Sequence, residues 1–127
     1  MNLTIWNLLL KDFKREKKLV YLIVEVWYPS KVAVEVGQKY LKVREKFPSD
    51  KKLAEDVISA FNSVTEGIHG ITAWEIKEGK LAAFLKRTAE AMLMYGEIEG
   101  FKYSINTYLS ATECMPMIGL KIPEMVV

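Results

Sequence analysis

The chain has 127 residues, with 18 basic and 16 acidic side chains and a formal net charge of +2. That near balance does not mark an obligate nucleic-acid binder, and the length fits one domain able to bury a core. Apolar residues make up 50% and charged residues 27%, which is the composition of a globular chain and not of a disordered one.

The single cysteine, Cys114, cannot form an internal disulfide. With no signal-peptide pattern, a cytoplasmic location is expected. Charge is carried mostly by Lys and Glu, and Gln38 is the only glutamine, a bias that resembles proteins from hot environments.

Residues 1–18 place Trp6, Leu9, Leu10 and Phe13 on one helical face, with Lys11, Lys14, Arg15, Lys17 and Lys18 gathered at its end. Three roles compete for this segment: a helix docked on the body or on a partner, a contact with an anionic membrane or nucleic acid, and a flexible extension. Lysines near a helix C-terminus already suit the helix dipole, which favours the docked helix.

Residues 19–28 form an apolar and aromatic run interrupted only by Glu25 and stopped by Pro29. Its branched and aromatic residues suit a strand buried on both faces, and it is too short to span a membrane, which takes about 20 apolar residues as a helix. Ser30 is expected to cap a helix whose inner face is Val32, Val36, Tyr40, Val43 and Phe47. Gly37 weakens that helix without ending it.

Residues 47–50 read as a turn cluster and 53–56 as a short helical entry. Residues 57–64 and 68–76 read as two strands joined through Thr65-Glu66-Gly67, because a short glycine-containing connection lets antiparallel neighbours reverse. A rival reading runs a helix from Lys51 to Phe61.

Glu78-Gly79 opens a second helix with Leu81, Phe84, Leu85, Thr88, Met92 and Tyr95 inward, and Gly96 is expected at a left-handed helix end. Residues 101–109 alternate as a half-buried strand, with Phe101, Tyr103, Ile105, Thr107 and Leu109 on one face and Lys102, Ser104, Asn106 and Tyr108 on the other. Ser110 to Glu113 has capping-box spacing before a short helix that stops near Gly119.

The predicted order is strand, helix, hairpin, helix, strand. It predicts an α+β domain over 19–119 with a four-stranded antiparallel sheet and helices on one face, an N-terminal helical extension over 1–18, a short C-terminal helix and a tail over 120–127. This layout resembles the ferredoxin-like βαββαβ fold and, within it, the dimeric α+β barrel proteins, whose members include small monooxygenases. The residues carrying the resemblance are the strand ended by Pro29-Ser30, the Glu66-Gly67 hairpin, and the strand leading into Ser110 to Glu113. It rests on layout and transfers no catalytic residue.

Because residues 19–28 are apolar on both faces, the sheet face away from the helices needs a cover. A second copy of the chain supplies one, so a homodimer through the outer sheet face is expected, with residues 1–18 as an internal competitor. Neither a nucleic acid nor a membrane surface is the expected partner.

Chemistry-bearing patterns are few. Glycines are scattered singly, and there is no Cys-x-x-Cys pair or His-x-x-x-His spacing, so neither a cofactor nor a metal is expected. His69 is the only histidine, read as a hydrogen-bonded structural residue with a lone acid or base as its functional alternative. Cys114, beside Met115 and Met117, is read as buried packing.

Glu25 is the only charge in the first strand and must be paired, hydrated or shifted in its ionisation. Together with His69, Glu75, Lys102, Ser104, Asn106 and Tyr108 it is a candidate to line a pocket with aromatic walls from Trp27, Trp74 and Tyr28, provided the strand registers bring them to one face. The catalytic candidates are thus Glu25 and His69, and the ligand-binding candidates Trp27, Trp74, Glu75, Asn106 and Tyr108. A non-catalytic binding or assembly module is the leading reading. A cofactor-independent, monooxygenase-like enzyme acting on an apolar small molecule is the alternative that the barrel resemblance implies.

Overall fold

The computed structural model describes residues 20–120, so the helix expected over 1–18 and all but Leu120 of the tail expected over 120–127 lie outside the described residues. Four strands, β1 (Val20–Tyr28), β2 (Ala54–Val64), β3 (Gly67–Ile76) and β4 (Lys102–Leu109), form one sheet in the order β2-β3-β1-β4. Every neighbouring pair is antiparallel. Helix α1 (Ala33–Lys46) connects β1 to β2, and α2 (Leu81–Leu93) connects β3 to β4. A last helical turn, α3 (Ala111–Cys114), runs into a tighter 3₁₀ turn (Met115–Ile118). This is the ferredoxin-like α+β fold.

The strand pleat explains the two layers. Leu22, Val24 and Tyr28 of β1 point inward and join Val36 and Val43 of α1 and Phe84 and Met92 of α2 in one buried cluster. Leu22 is completely buried. Tyr95 and Phe101 stack 4.7 Å apart, and Phe101 stacks on Tyr28 at 5.9 Å, so the segment after α2 closes one end of the core with aromatic rings. Tyr21, Ile23 and Trp27 point the other way and belong to no part of that cluster.

Several local expectations give way to other contacts. Ser30 caps nothing: the Val32 amide donates to the Pro29 carbonyl at 3.1 Å, which closes a 3₁₀ turn over Ser30–Val32, and α1 starts at Ala33 without a side-chain cap. Neither the helical entry at 53–56 nor the rival helix over 51–61 forms. A single turn does exist there, with the Asp50 carbonyl accepting from the amides of Leu53 and Ala54. From Ala54 onward, pairing with Ile76 to Trp74 of β3 captures the chain as a strand.

Tyr40 remains half exposed, because α1 stands away from the sheet at that point, and Leu85 is exposed beside the narrow contact stripe of α2. Gly96 is not left-handed: successive tight turns carry the chain out of α2, and the left-handed residue is Gly100, with φ +79°. In β4 the alternation holds, but as an edge strand it keeps only Ser104 and Ile105 partly buried. Ser110 does cap α3, accepting from the Glu113 amide at 3.2 Å. Cys114 is exposed and not packed, since α3 and the turn after it bury none of their residues.

Candidate functional site

The registers set the outer sheet face as a four-by-four grid. From β4 through β1 and β3 to β2, one row reads Tyr108, Tyr21, Glu75, Glu55, and the next Asn106, Ile23, Ala73, Ile58. The third reads Ser104, Glu25, Ile71, Ala60, and the fourth Lys102, Trp27, His69, Asn62. Because side chains opposite one another share a face, Glu25, Trp27, His69, Glu75, Lys102, Ser104, Asn106 and Tyr108 come together on one surface. Trp74 and Tyr28 do not join them: Trp74 is opposite Leu22, and both residues face the helices, where they serve as core.

At the centre of the grid, Glu25 and His69 sit on a diagonal. Glu25 Oε2 lies 3.7 Å from His69 Nε2, and the two side chains are 33% and 27% exposed. Trp27, directly opposite His69, stacks on the imidazole with ring centroids 5.2 Å apart and planes 16° from parallel. Among the described residues the buried His69 Nε2 has no hydrogen-bond partner, and at 3.7 Å Glu25 Oε2 lies beyond hydrogen-bond distance. Next to the pair, Asn106 Nδ2 donates to Ser104 Oγ at a long 3.5 Å. One row beyond, burial raises the pKa of the Tyr21 phenol above its ordinary value, with the facing Glu75 carboxylate adding to the effect. Chemically, the centre of this face offers one imidazole and one carboxylate able to move a proton, on an apolar and aromatic surround.

The opposite side of the sheet holds a feature that periodicity did not reveal. A cleft of about 700 Å³ lies between the inner sheet face and the two helices, lined in part by β2. The β2 wall carries a bulge: the register of β2 slips between Asp56 and Ile58, so Ala54 and Asp56 face inward before it and Ser59 and Phe61 after it. The inward surface of β2 is therefore largely polar, with Ser59 and Thr72 hydrogen-bonded to each other at 3.1 Å. Phe61 lies flat across Gly70, where an added Cβ would sit 2.3 Å from the ring. Asp56 and Ser59 breaking the apolar alternation was the available signal.

Among the described residues, no group of three or more His, Cys, Asp or Glu is placed to hold a metal ion, and no helix is long and apolar enough to cross a membrane.

No protein-family model matches the chain, and no curated protein matches it. Solved structures similar to it include the C-terminal domain of the MgtC protein from Mycobacterium tuberculosis, 11% identical over 76% of this chain and 96% of that one, with a TM-score of 0.42. Another is a nipsnap family protein of unknown function from Agrobacterium tumefaciens str. C58, 17% identical over 75% of this chain and 92% of that one, with a TM-score of 0.41. The ferredoxin-like assignment rests on the strand order of this chain itself.

Proposed function

We propose that the chain is a non-catalytic assembly module whose outer sheet face is covered by the same face of a second copy. The observation that carries this is the apolar band along the two central strands, Tyr21, Ile23 and Trp27 on β1 with Ile71 and Ala73 on β3, which is broken on β1 by Glu25, is half-buried apart from the buried Ala73, and lies outside the core cluster. Scattered exposed apolar residues mean little, but a contiguous band across a sheet is the surface that protein partners bury. A two-fold arrangement makes the same band meet itself, and the Glu25–His69 pair then sits in the seam. In this reading the body at 19–119 is the assembling unit, residues 1–18 are an extension of it, and the location is cytoplasmic.

A second reading, proton-transfer catalysis without a cofactor, is favoured by one observation, the buried Nε2 of His69 beside Glu25, which has no hydrogen-bond partner among the described residues.

Light scattering on the full chain separates monomer from dimer. The expected mass is twice the chain's 14.6 kDa, falling to one chain in Ile23→Glu with its circular dichroism retained. A wild type that remains one chain at concentrations of about 50 μM, a level at which specific interfaces associate, overturns the assembly reading. Turnover lost equally in Glu25→Gln and His69→Asn, with melting unchanged, moves the conclusion to the second reading.

A further inference from the structure

We propose that the cleft between the helices and the inner sheet face is a binding site for a small, flat, largely apolar molecule carrying one acidic group. It lies on the opposite side of the sheet from the proposed assembly surface and does not depend on it.

The volume of about 700 Å³ falls among ligand sites, which span roughly 300–1,000 Å³. The walls suit a flat apolar body. Trp74 of β3 and Phe84 of α2 meet edge to face with centroids 5.3 Å apart, and Val24 and Val26 of β1 form the floor. Trp74 and Phe84 are held by the core cluster and not by a mobile loop, so the aromatic walls are in place before a ligand arrives.

The charges at the mouth are unequal in what they have left to offer. Arg87 is committed: it donates to the Pro48 carbonyl and lies 3.8 Å from Asp50. Asp56 has Lys51 at 3.6 Å. Arg44, which also lines the cleft, makes no ion pair among the described residues. Its guanidinium is the charge available to an incoming anion, and its planar fork matches a carboxylate with two parallel hydrogen bonds.

Gly37 completes the case. It lies within α1, where a glycine costs about 1 kcal/mol relative to alanine, yet its φ is ordinary and an added Cβ would meet no atom within 4 Å. Backbone geometry therefore does not require glycine there. Gly37, Tyr40 and Arg44 follow one another at helical spacing along the cleft wall, and Gly37 adds no side chain to that wall.

The test is calorimetric titration of the full chain with 2-naphthoate and with its neutral analogue 2-naphthamide. The expected result is one saturable site per chain for both probes. Arg44→Gln weakens naphthoate about tenfold, the loss of one charge-assisted contact, and leaves naphthamide unchanged. Gly37→Leu removes binding of both probes while its melting temperature stays level or rises, since leucine is the better helix former, which separates a filled site from a damaged fold. No saturable binding by the wild type, undiminished binding by Gly37→Leu, or equal weakening of both probes by Arg44→Gln overturns the proposal. Dimerisation is read independently as mass, so failure here leaves the assembly reading standing, and the reverse.

Discussion

Glu25 and His69, 44 positions apart in sequence, meet diagonally across the two central strands with 3.7 Å between carboxylate oxygen and imidazole nitrogen. Neither strand would bring them together alone: Glu25 is opposite Ile71 and His69 opposite Trp27. The side-chain pair and the Trp27 stack therefore exist only in this register.

The coupling between the two side chains is measurable. Glu25→Gln and His69→Asn keep polarity and approximate size, so each is expected to leave the fold intact. Because both groups are about one-third exposed, a double-mutant cycle in urea is expected to give a coupling of about 0.5–1 kcal/mol, the range of screened pairs. Additive single effects would show that the two side chains act independently.

Phe84 tests the orientation of α2. The side chain is 8% exposed and meets Trp74 edge on. Phe84→Ala is expected to cost about 3 kcal/mol, the low end for this substitution, because the residue borders an open cleft that already interrupts its packing on one side. Lys86→Ala, on the exposed face, is expected to change stability by no more than about 0.5 kcal/mol. Equal urea midpoints for the two variants would mean that α2 is rotated about its axis.

The extent to which the sequence revealed this protein follows the reach of each signal. Residues 20–28 are apolar at every position but Glu25, and that local property was enough to identify the central strand. The Glu66-Gly67 hairpin and the Ser110 cap were legible for the same reason, being decided within a few residues. Parity alone sorts Glu25 with Trp27 and Ser104 with Asn106. Placing these on the same face as His69 and Glu75, with Trp74 turned away, requires a register that only the folded sheet supplies. The β2 strand was misread at its start because a helical turn at Asp50 competes locally with the ladder that wins from Ala54. For the cleft, the polar Asp56 and Ser59 were the one local sign, whereas the register slip beside Asp56 and the stand-off of α1 are properties of assembled elements.

Two left-handed glycines are predicted to behave differently. At Gly79, φ is +75° and an added Cβ would meet nothing within 4 Å, so Gly79→Ala costs only the backbone preference, about 1–2 kcal/mol. At Gly67, φ is +138° and the same Cβ would sit 2.3 Å from the Tyr28 carbonyl oxygen and 2.9 Å from Pro29 Cα. Those are backbone atoms at the end of the central strand and cannot swing aside as a side chain would. Gly67→Ala is therefore expected to cost about 3 kcal/mol or more. Thermal melts ranking the two variants in the opposite order would contradict this account of the hairpin.

Tyr95 supplies a pH signature for the aromatic end of the core. Its pKa is pushed up to about 12 from 10.0, first by burial and then by the neighbouring Tyr40 and Tyr28 phenols. Since the folded-state pKa lies above the unfolded one, the neutral phenol contributes its full stabilisation below pH 10, and folding loses that contribution as the pH rises from 10 towards 12. Two units correspond to an upper bound of about 2.7 kcal/mol. Unfolding free energies measured from pH 9 to pH 12 are thus expected to fall across this window. The unfolded phenol ionises there while the buried one, stacked on Phe101, resists. Tyr95→Phe keeps the ring and its stacking but has nothing to ionise. It is expected to flatten the alkaline fall while leaving stability near pH 7 within about 1 kcal/mol of the wild type. An alkaline slope as steep in Tyr95→Phe as in the wild type would show that another group carries the effect.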